Sequence, residues 1–220
     1  MNATLEAYER WAPLYPPEPH NPVMVAEQRE VLALLPPLEG RRVLDLACGT
    51  GRYARLAAES GAGEIVAADF SPAMLHRVTG AMRVRASLAQ LPLQSCAFDC
   101  VVSGLALGHA ADLTACVIEI ARVLREGGTL VYSDFHDEAW RAGLTRSFKD
   151  TQGNPMTLPC DGYSPAQHRA ALLAAGLEVE RMQELRVGIE FTEPFTNSAG
   201  FYQRHHGVPL VLVVRAGKKS

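Results

Sequence analysis

A short glycine-containing segment is the first part of this chain whose residue types suit ligand binding. Residues 43–53, VLDLACGTGRY, run from apolar residues through Asp45 to two glycines, Gly49 and Gly51. Glycines in a turn at the end of a strand let the backbone approach a bound group closely. The segment therefore predicts a ligand-binding turn.

A second carboxylate, Asp69, follows about twenty residues after this turn and ends the segment EIVAAD, residues 64–69. A carboxylate at the end of the next strand can accept two hydrogen bonds from adjacent ribose hydroxyls. The turn and the carboxylate together predict a nucleoside ligand.

The type of nucleoside depends on Asp45. Residues 49–54, GTGRYA, also fit the loose dinucleotide pattern GxGxx(G/A), which is a weak signal by itself. An anion inside the turn would oppose a pyrophosphate, but it would attract an ammonium or sulfonium group. This favours S-adenosylmethionine as the ligand. A nicotinamide dinucleotide of an NAD(P)-dependent oxidoreductase and a non-catalytic nucleoside-binding module are the alternatives.

The elements around these residues alternate between strands and helices, which indicates an α/β protein. Helix N-caps are predicted at Asn21, Ser71, Asp112 and Ser164. The predicted strands cover residues 42–47, 64–69, 82–87, a segment from Phe98, 129–135, and segments near 178–191 and 208–214, of which the last two suggest a closing hairpin.

Two segments depart from this alternation. Residues 12–22, APLYPPEPHNP, contain five prolines and follow a short helix at 3–11, so residues 1–22 are predicted to form an N-terminal lid. Its aromatic residues, Tyr8, Trp11 and Tyr15, can present ring faces to a sulfonium. Residues 136–163 have no clear period and are long for a connection, which predicts a functional insertion.

Composition excludes several other classes of function. A net charge of -3 and a pI near 6.2 provide no basic field for nucleic acid. The chain starts without a signal-peptide pattern and has no apolar run of ~20 residues, which predicts a soluble cytoplasmic protein without a membrane span. Five cysteines, including Cys160, lack a CxxC pair and suggest reduced thiols. No metal site is predicted, and the sequence contains no signal for an oligomeric state.

Several segments together resemble one family, the class I S-adenosylmethionine-dependent methyltransferases. The likeness covers nearly all of residues 40–185. VLDLACGTGRY resembles the first motif of that family and ADFSPAML, residues 68–75, its second strand. LPL followed by FDCVVSGLALGH resembles the fourth strand, and RVLREGGTLVYSDF, residues 122–135, resembles the fifth. The branch it most resembles methylates quinone precursors and carboxyl groups such as that of carrier-bound malonate.

This resemblance implies a Rossmann-like, doubly wound, mostly parallel seven-stranded sheet with helices on both faces. It makes residues 23–220 a single methyltransferase domain behind the lid, with 136–163 as an insertion on the acceptor side. The implied cofactor is S-adenosylmethionine. The implied partner is a small organic acceptor, methylated on oxygen or carbon.

The resemblance also implies the donor-binding residues. The methionine moiety would contact Asp45, Ala47, Gly49 and Gly51, and the ribose would contact Asp69. Phe70 and Met74 would enclose the adenine. Ser87 stands where the branch usually has aspartate, and it can still form a hydrogen bond beside the backbone of Leu88. Tyr8 and Ser103 complete the predicted set.

The acceptor side offers three residues for proton chemistry. His109 and His136 follow the fourth and fifth strands, where a general base must stand. Tyr15 lies in the lid. An acceptor that carries a proton needs such a base, whereas a carboxylate acceptor does not. The acceptor therefore stays open between a phenol and a carboxyl-bearing metabolite.

Overall fold

The computed structural model describes residues 3–158, 162–192 and 198–219 of the chain. Its α-helices are α1 (Ala3–Trp11), α2 (Pro22–Leu34), α3 (Arg52–Glu59), α4 (Pro72–His76), α5 (Leu113–Val123), α6 (Asp137–Arg141), α7 (Pro165–Ala174) and α8 (Ser198–His205). Its strands are β1 (Arg42–Leu46), β2 (Glu64–Asp69), β3 (Met82–Arg85), β4 (Phe98–Gly104), β5 (Leu124–Phe135), β6 (Ser147–Lys149), β7 (Pro155–Thr157), β8 (Leu177–Arg186) and β9 (Pro209–Lys218).

The main sheet has seven strands in the order β3-β2-β1-β4-β5-β9-β8. The strands from β1 to β5 pair in parallel, and β9 is antiparallel to both β5 and β8. This confirms the predicted mostly parallel α/β sheet. The strand order reverses between β1 and β4, so the ligand crevice is expected at the carboxyl ends of these two strands.

Both faces of the sheet are covered by helices, because successive residues of its central strands are apolar and point to opposite faces. Val43 of β1 belongs to one hydrophobic core with Met24 and Tyr53. Its neighbour Leu44 belongs to the other core with Val117 and Leu172. The two cores hold β1 and β4 rigidly behind the crevice.

The predicted helix starts are confirmed. Asn21, Ser71 and Asp112 each accept a hydrogen bond from the backbone N–H three residues later, at 2.9, 3.1 and 3.0 Å. Ser164 forms a capping box with Gln167. These caps are local, which is why the sequence reveals them.

The C-terminal part differs from the prediction. The eighth strand ends at Arg186, a 3-10 helix occupies Ile189–Thr192, and α8 follows before β9. The last two strands pair in antiparallel fashion as the predicted closing hairpin, and this intervening structure forms part of their long connection. The segment 136–163 is also more ordered than predicted, since it contains α6 and the β6–β7 hairpin. Cys160 lies outside the described residues.

The strand β5 starts at Leu124, five residues before the predicted start at Thr129, and an irregular register with Phe98 allows this extension. On α2, Met24 and Val31 are buried, but the apolar residue Leu32 is exposed and the charged residue Glu27 is fully buried. Within the described ranges, none of the helices combines the length and apolarity needed to cross a bilayer.

Candidate functional site

A cavity of about 340 Å³ opens at the carboxyl ends of β1, β2 and β4, where the strand order places the ligand crevice. Asp45, Asp69 and Gly104 represent these three strands in its wall. The predicted residues that line it are Tyr8, Tyr15, Asp45, Ala47, Gly49, Asp69, Phe70, Ser87, Leu88 and His109.

Asp69 ties the glycine turn to the end of β2. Its Oδ2 accepts a hydrogen bond from the Gly49 N–H at 2.8 Å, and its Oδ1 accepts one from the Ser71 N–H at 2.9 Å. Burial raises the pKa of this carboxyl to about 6. Each carboxylate oxygen has a second lone-pair direction, so the group can still receive hydroxyl donors from a ligand.

Asp45 lies on β1 rather than inside the turn, which corrects its expected position. Its Oδ2 accepts a hydrogen bond from the Ala54 N–H at 2.7 Å and so caps α3, whose N-cap residue Gly51 has no side chain. The buried Oδ1 has no hydrogen-bond partner among the described residues. Burial raises the pKa of Asp45 to about 7. A cationic ligand group in the cavity would relieve this cost.

Two non-glycine residues of the cavity wall have a left-handed backbone. Ala47 has a φ of 52° and Leu105 a φ of 55°. Such conformations cost on the order of 1–3 kcal/mol and cluster at ligand sites. The hydrogen bond from the Leu105 N–H to the Ser133 carbonyl, 2.9 Å, holds the second of these residues. The strain thus marks the same cavity independently of the motifs.

Four predicted site residues do not line the cavity. Gly51 sits behind the turn with a φ of 84°, which favours glycine, and a Cβ atom there would lie 3.1 Å from Val78. Met74 is fully buried in a cluster with Trp11 beneath α1, and Ser103 is buried in β4. Phe70 therefore faces the cavity without Met74.

His136 is the fourth of these residues. It caps α6 by accepting a hydrogen bond from the Glu138 N–H at 3.1 Å, and its Nε2 lies 3.4 Å from Glu184. Its side chain is 2% exposed and is turned toward these residues instead of the cavity. His136 therefore does not reach the cavity.

The N-terminal segment lies across the cavity. Glu9 accepts hydrogen bonds from the Ser71 hydroxyl and the Ala73 N–H, and Arg77 donates to the Ala12 and Tyr15 carbonyls. These contacts fasten α1 and the following turn to α4, next to Asp69.

The same segment also meets the insertion. The Trp11 ring stacks on Phe148 of β6, with ring centroids 4.6 Å apart and planes 10° apart. The N-terminal segment and the insertion thus contact each other beside the cavity.

One part of the cavity wall contains side chains that can donate or accept protons. The Tyr8 hydroxyl lies 3.0 Å from Nε2 of His109, and Nη1 of Arg146 lies 3.0 Å from the same nitrogen. Arg146 also donates to the Leu105 carbonyl at 2.9 Å. Burial raises the pKa of Tyr15 above its usual value near 10, so this phenol is a hydrogen-bond donor in the cavity rather than a base.

A buried network of charged and polar side chains contacts residues of the cavity wall. Glu27, fully buried, accepts hydrogen bonds from Arg52 at 2.8 Å and from the Tyr53 and Ser133 hydroxyls at 2.6 Å each. Arg52 and Tyr53 line the cavity. Because the carboxylate has donors on both oxygens and a guanidinium beside it, its burial is compensated.

Sequence reasoning missed Arg146, Arg52 and Glu27. Arg146 comes from the insertion, where no periodic pattern indicates which side chain faces inward. Glu27 and Arg52 are 25 residues apart, so only the fold brings them together. The strained conformation of Leu105 has no sequence signal at all.

Fold and cavity together define a Rossmann-like α/β protein with a ligand-sized cavity at the carboxyl ends of its central strands. Residues 44–132 match the family model described as a methyltransferase domain. An uncharacterized methyltransferase of Mycobacterium bovis is 32% identical over 204 residues, covering 90% of this chain and 72% of that protein. An S-adenosylmethionine-dependent methyltransferase from Mesorhizobium loti has a TM-score of 0.70 at 25% identity, covering 88% of this chain and 98% of that chain.

A malonyl-[acyl-carrier protein] O-methyltransferase of Enterobacter lignolyticus is 33% identical over 151 residues, covering 64% of this chain. The chain spans 59% of the length of this relative. It spans 60% and 43% of the lengths of two other curated relatives. The chain belongs to the class I S-adenosylmethionine-dependent methyltransferases. The resemblance seen in the sequence is confirmed, and the oxidoreductase alternative finds no support.

Proposed function

We propose that the protein transfers the methyl group of S-adenosylmethionine to a small organic acceptor, on oxygen or carbon. The observation that carries this proposal is the meeting of Asp45, Gly49 and Asp69 in one cavity of a methyltransferase-family chain. A cavity of about 340 Å³ is in the range of small-molecule sites, which favours a metabolite over a macromolecule.

The donor site follows from the hydrogen-bonding capacity of these residues. Asp69 would accept the ribose hydroxyls with the lone pairs that Gly49 and Ser71 leave over. Asp45 would face the cationic end of the donor, which fits its buried Oδ1 without a described partner. Phe70 and Leu88 would border the adenine, with Ser87 at its edge.

The donor supplies a methyl group on a sulfonium sulfur, which is already a good leaving group. The protein must therefore mainly hold the acceptor in line, and positioning can contribute ~7 to 11 kcal/mol. We infer that residues 1–22 act as a lid that excludes water, supported by Tyr8 and Tyr15 in the cavity wall. His109 is the candidate base, and Tyr15 is a candidate hydrogen-bond donor to the acceptor.

We also infer a cytoplasmic setting in small-molecule biosynthesis. The net charge of -3 argues against a nucleic acid substrate. The named Enterobacter relative acts on a malonyl carrier protein, and relatives from Clavibacter and Mycobacterium are demethylmenaquinone methyltransferases. These names support a biosynthetic role without selecting an acceptor for this chain.

Ligand binding followed by a transfer assay tests the proposal. Calorimetry should detect binding of S-adenosylhomocysteine and no binding of NAD. The protein is then incubated with tritiated S-adenosylmethionine and the small-molecule fraction of a bacterial extract. Label in an extractable product supports methyl transfer. Tight donor binding without any labelled product would identify a non-catalytic module instead.

A further inference from the structure

Arg52 is a charged residue of the cavity wall to which the proposed methyl transfer assigns no role. We propose that Arg52 and Tyr15 form a carboxylate-binding subsite of this cavity, and that Glu27 is the positioning residue of the guanidinium. The inference rests on the proposed methyl transfer, and it adds a site for an anionic group of the reacting molecules to a cavity that already contains two carboxylates, Asp45 and Asp69.

Contacts with α2 and with Tyr53 fix the guanidinium of Arg52. Its Nη2 donates to Oε2 of Glu27 at 2.8 Å, and its Nη1 donates to Oε1 of Gln28 at 3.2 Å and to the Met24 carbonyl at 3.5 Å. The carbon Cζ lies 4.5 Å from the centroid of the Tyr53 ring. The side chain is 10% exposed, so the surrounding residues leave little space for another orientation.

These contacts leave part of the guanidinium without a partner. A guanidinium has five N–H donors in a planar fork, and this fork matches the two oxygens of a carboxylate. Nε of Arg52 has no hydrogen-bond partner among the described residues, and it is accessible to solvent. Because Arg52 lines the cavity, its remaining donors can bind an anionic group there.

The end of β4 leaves room for this guanidinium. Gly104 lines the cavity, and a Cβ atom there would lie 2.6 Å from Cε2 of Tyr53 and 3.3 Å from Nη2 of Arg52. The first of these distances is too short for a real contact. The absence of a side chain at Gly104 therefore lets Tyr53 and Arg52 reach the wall of the cavity.

Tyr15 supplies a neutral hydrogen-bond donor. Its hydroxyl has no hydrogen-bond partner among the described residues, it is accessible to solvent, and the residue lines the cavity. Burial raises the pKa of Tyr15 above its usual value, so the phenol keeps its proton and can donate it in a hydrogen bond. The charges of Arg146 and Arg52 oppose this rise, which places both guanidiniums within electrostatic range of the phenol.

Two molecules of the reaction can supply the carboxylate. The amino-acid end of S-adenosylmethionine carries an ammonium and a carboxylate group on one carbon atom. Burial raises the pKa of Asp45 to about 7, while the Ala54 N–H and the charge of Arg52 oppose the rise, so Asp45 and Arg52 lie within electrostatic range of each other. Their opposite charges match those of the amino-acid end, which favours the methyl donor. A carboxyl-bearing acceptor is the other source.

Calorimetry with two probes tests the subsite. One probe is S-adenosylhomocysteine, and the other is its decarboxylated analogue, which has a hydrogen atom in place of the carboxylate. If the donor supplies the carboxylate, the parent protein should bind the first probe roughly 10 to 150-fold more tightly than the second. The double variant Glu27→Gln/Arg52→Gln removes both charges of the buried pair, and this preference should fall roughly tenfold or more.

Arg55→Gln is the matched control for the double variant. Arg55 lies on the same helix as Arg52, but it pairs with Glu18 and Glu59 and does not line the cavity. The control should keep the preference for S-adenosylhomocysteine. An equal loss of preference in Arg55→Gln would overturn the assignment to Arg52.

Two single variants separate binding from folding. Glu27→Gln keeps the guanidinium but removes its charged partner, so we expect an intermediate preference, whereas a merely structural Glu27 would lower the Tm alone. Tyr15→Phe disturbs no buried charge, and it should lower the preference roughly tenfold. This variant decides between the outcomes if the double variant does not fold.

The transfer assay with the extract fraction tests the second source. If the acceptor supplies the carboxylate, S-adenosylhomocysteine affinity should stay within about threefold of the parent in the double variant and in Tyr15→Phe. The amount of extract needed for half-maximal transfer should instead rise roughly tenfold or more, and an anion exchanger at pH 8 should retain the acceptor. A rise with an acceptor that the exchanger does not retain would overturn the carboxylate assignment.

The subsite is overturned if folded variants change neither the preference between the two probes nor the amount of extract needed. This failure differs from that of the proposed function. If the parent protein binds no S-adenosylhomocysteine, the proposed function fails and the subsite with it, whereas binding with an unchanged preference and an unchanged extract requirement refutes the subsite alone.

Discussion

Replacement of Asp69 by asparagine separates ligand binding from folding at the centre of the site. The amide keeps the shape of the side chain but loses the charge that would accept ribose hydroxyls. Hydrogen bonds to a charged group contribute about 1.5 to 3 kcal/mol, so the dissociation constant of S-adenosylhomocysteine should rise roughly 10 to 150-fold. Asp69→Ala should show a similar loss of affinity.

The two variants should differ in stability. Burial raises the pKa of Asp69 from 3.8 to about 6, so the ionised carboxylate weakens the fold as pH rises from about 4 to 6. This penalty is on the order of 3 kcal/mol above pH 6. Asparagine has no charge to bury, but its amide nitrogen cannot accept, so one of the two backbone hydrogen bonds is lost. Because these two effects oppose each other, we expect its Tm at pH 8 to be within a few degrees of the parent. Alanine also leaves the Gly49 and Ser71 N–H groups without their acceptor, so its Tm should fall.

Calorimetry at pH 8 and a thermal melt measure the two effects. In the parent, affinity should also fall as pH drops below about 6, because the protonated carboxyl accepts fewer hydrogen bonds; the asparagine variant should lack this part of the pH dependence. Asp99→Asn is the matched control, since Asp99 is a buried strand carboxylate that accepts the Arg42 N–H at 2.7 Å at the opposite end of the sheet. Affinity within threefold of the parent in Asp69→Asn would refute the ribose role.

Three further predictions concern the cavity and its covers. Donor binding at pH 6.5 should release protons from Asp45, because burial raises its pKa to about 7. In calorimetry, Asp45→Asn should abolish this proton release and weaken binding. Unfolding of the variant would instead show that Asp45 is structural. Deletion of residues 1–22 should leave a folded core with little turnover. Trp11→Ala removes the stacking on Phe148 and should speed limited proteolysis of the lid. If S-adenosylhomocysteine does not slow cleavage of the parent protein, the lid does not close over the ligand. Glu27→Gln leaves Arg52 without its buried counter-charge and should lower the Tm by about 6 to 20 °C; an unchanged melt would contradict the network.

The parts of the site that sequence reasoning identified depend on short-range signals. The glycine turn, the caps at Asn21 and Ser71, and Asp69 at the end of β2 each combine a residue type with its immediate neighbours. The fold follows from the alternation of such segments and from the family resemblance. The residues at the carboxyl ends of β1 and β2 could therefore be assigned to the site from the sequence alone.

The residues that sequence reasoning missed, and those that it placed in the site although they do not line the cavity, depend on contacts between distant segments. His136 and His109 both follow strands of the sheet, but only His109 faces the cavity, because His136 turns to cap α6. Met74 lies four residues after Phe70, yet it is buried in a cluster with Trp11 of the N-terminal segment. Arg146 meets His109 across 37 residues. Spacing along the chain contains no information on which of these side chains the N-terminal segment and the insertion enclose.

The buried carboxylates around the cavity are of two kinds, which differ in the groups that donate hydrogen bonds to them. Glu27 is buried with a guanidinium and two hydroxyls as donors, so its charge is compensated by the protein itself. Asp45 and Asp69 receive only backbone N–H groups, and burial raises the pKa of both. A ligand with a cationic end and a pair of hydroxyls supplies what these two carboxylates lack. Binding of such a ligand would offset the free energy that the fold loses by burying them, and we propose this pair as the feature of the site that discriminates between ligands.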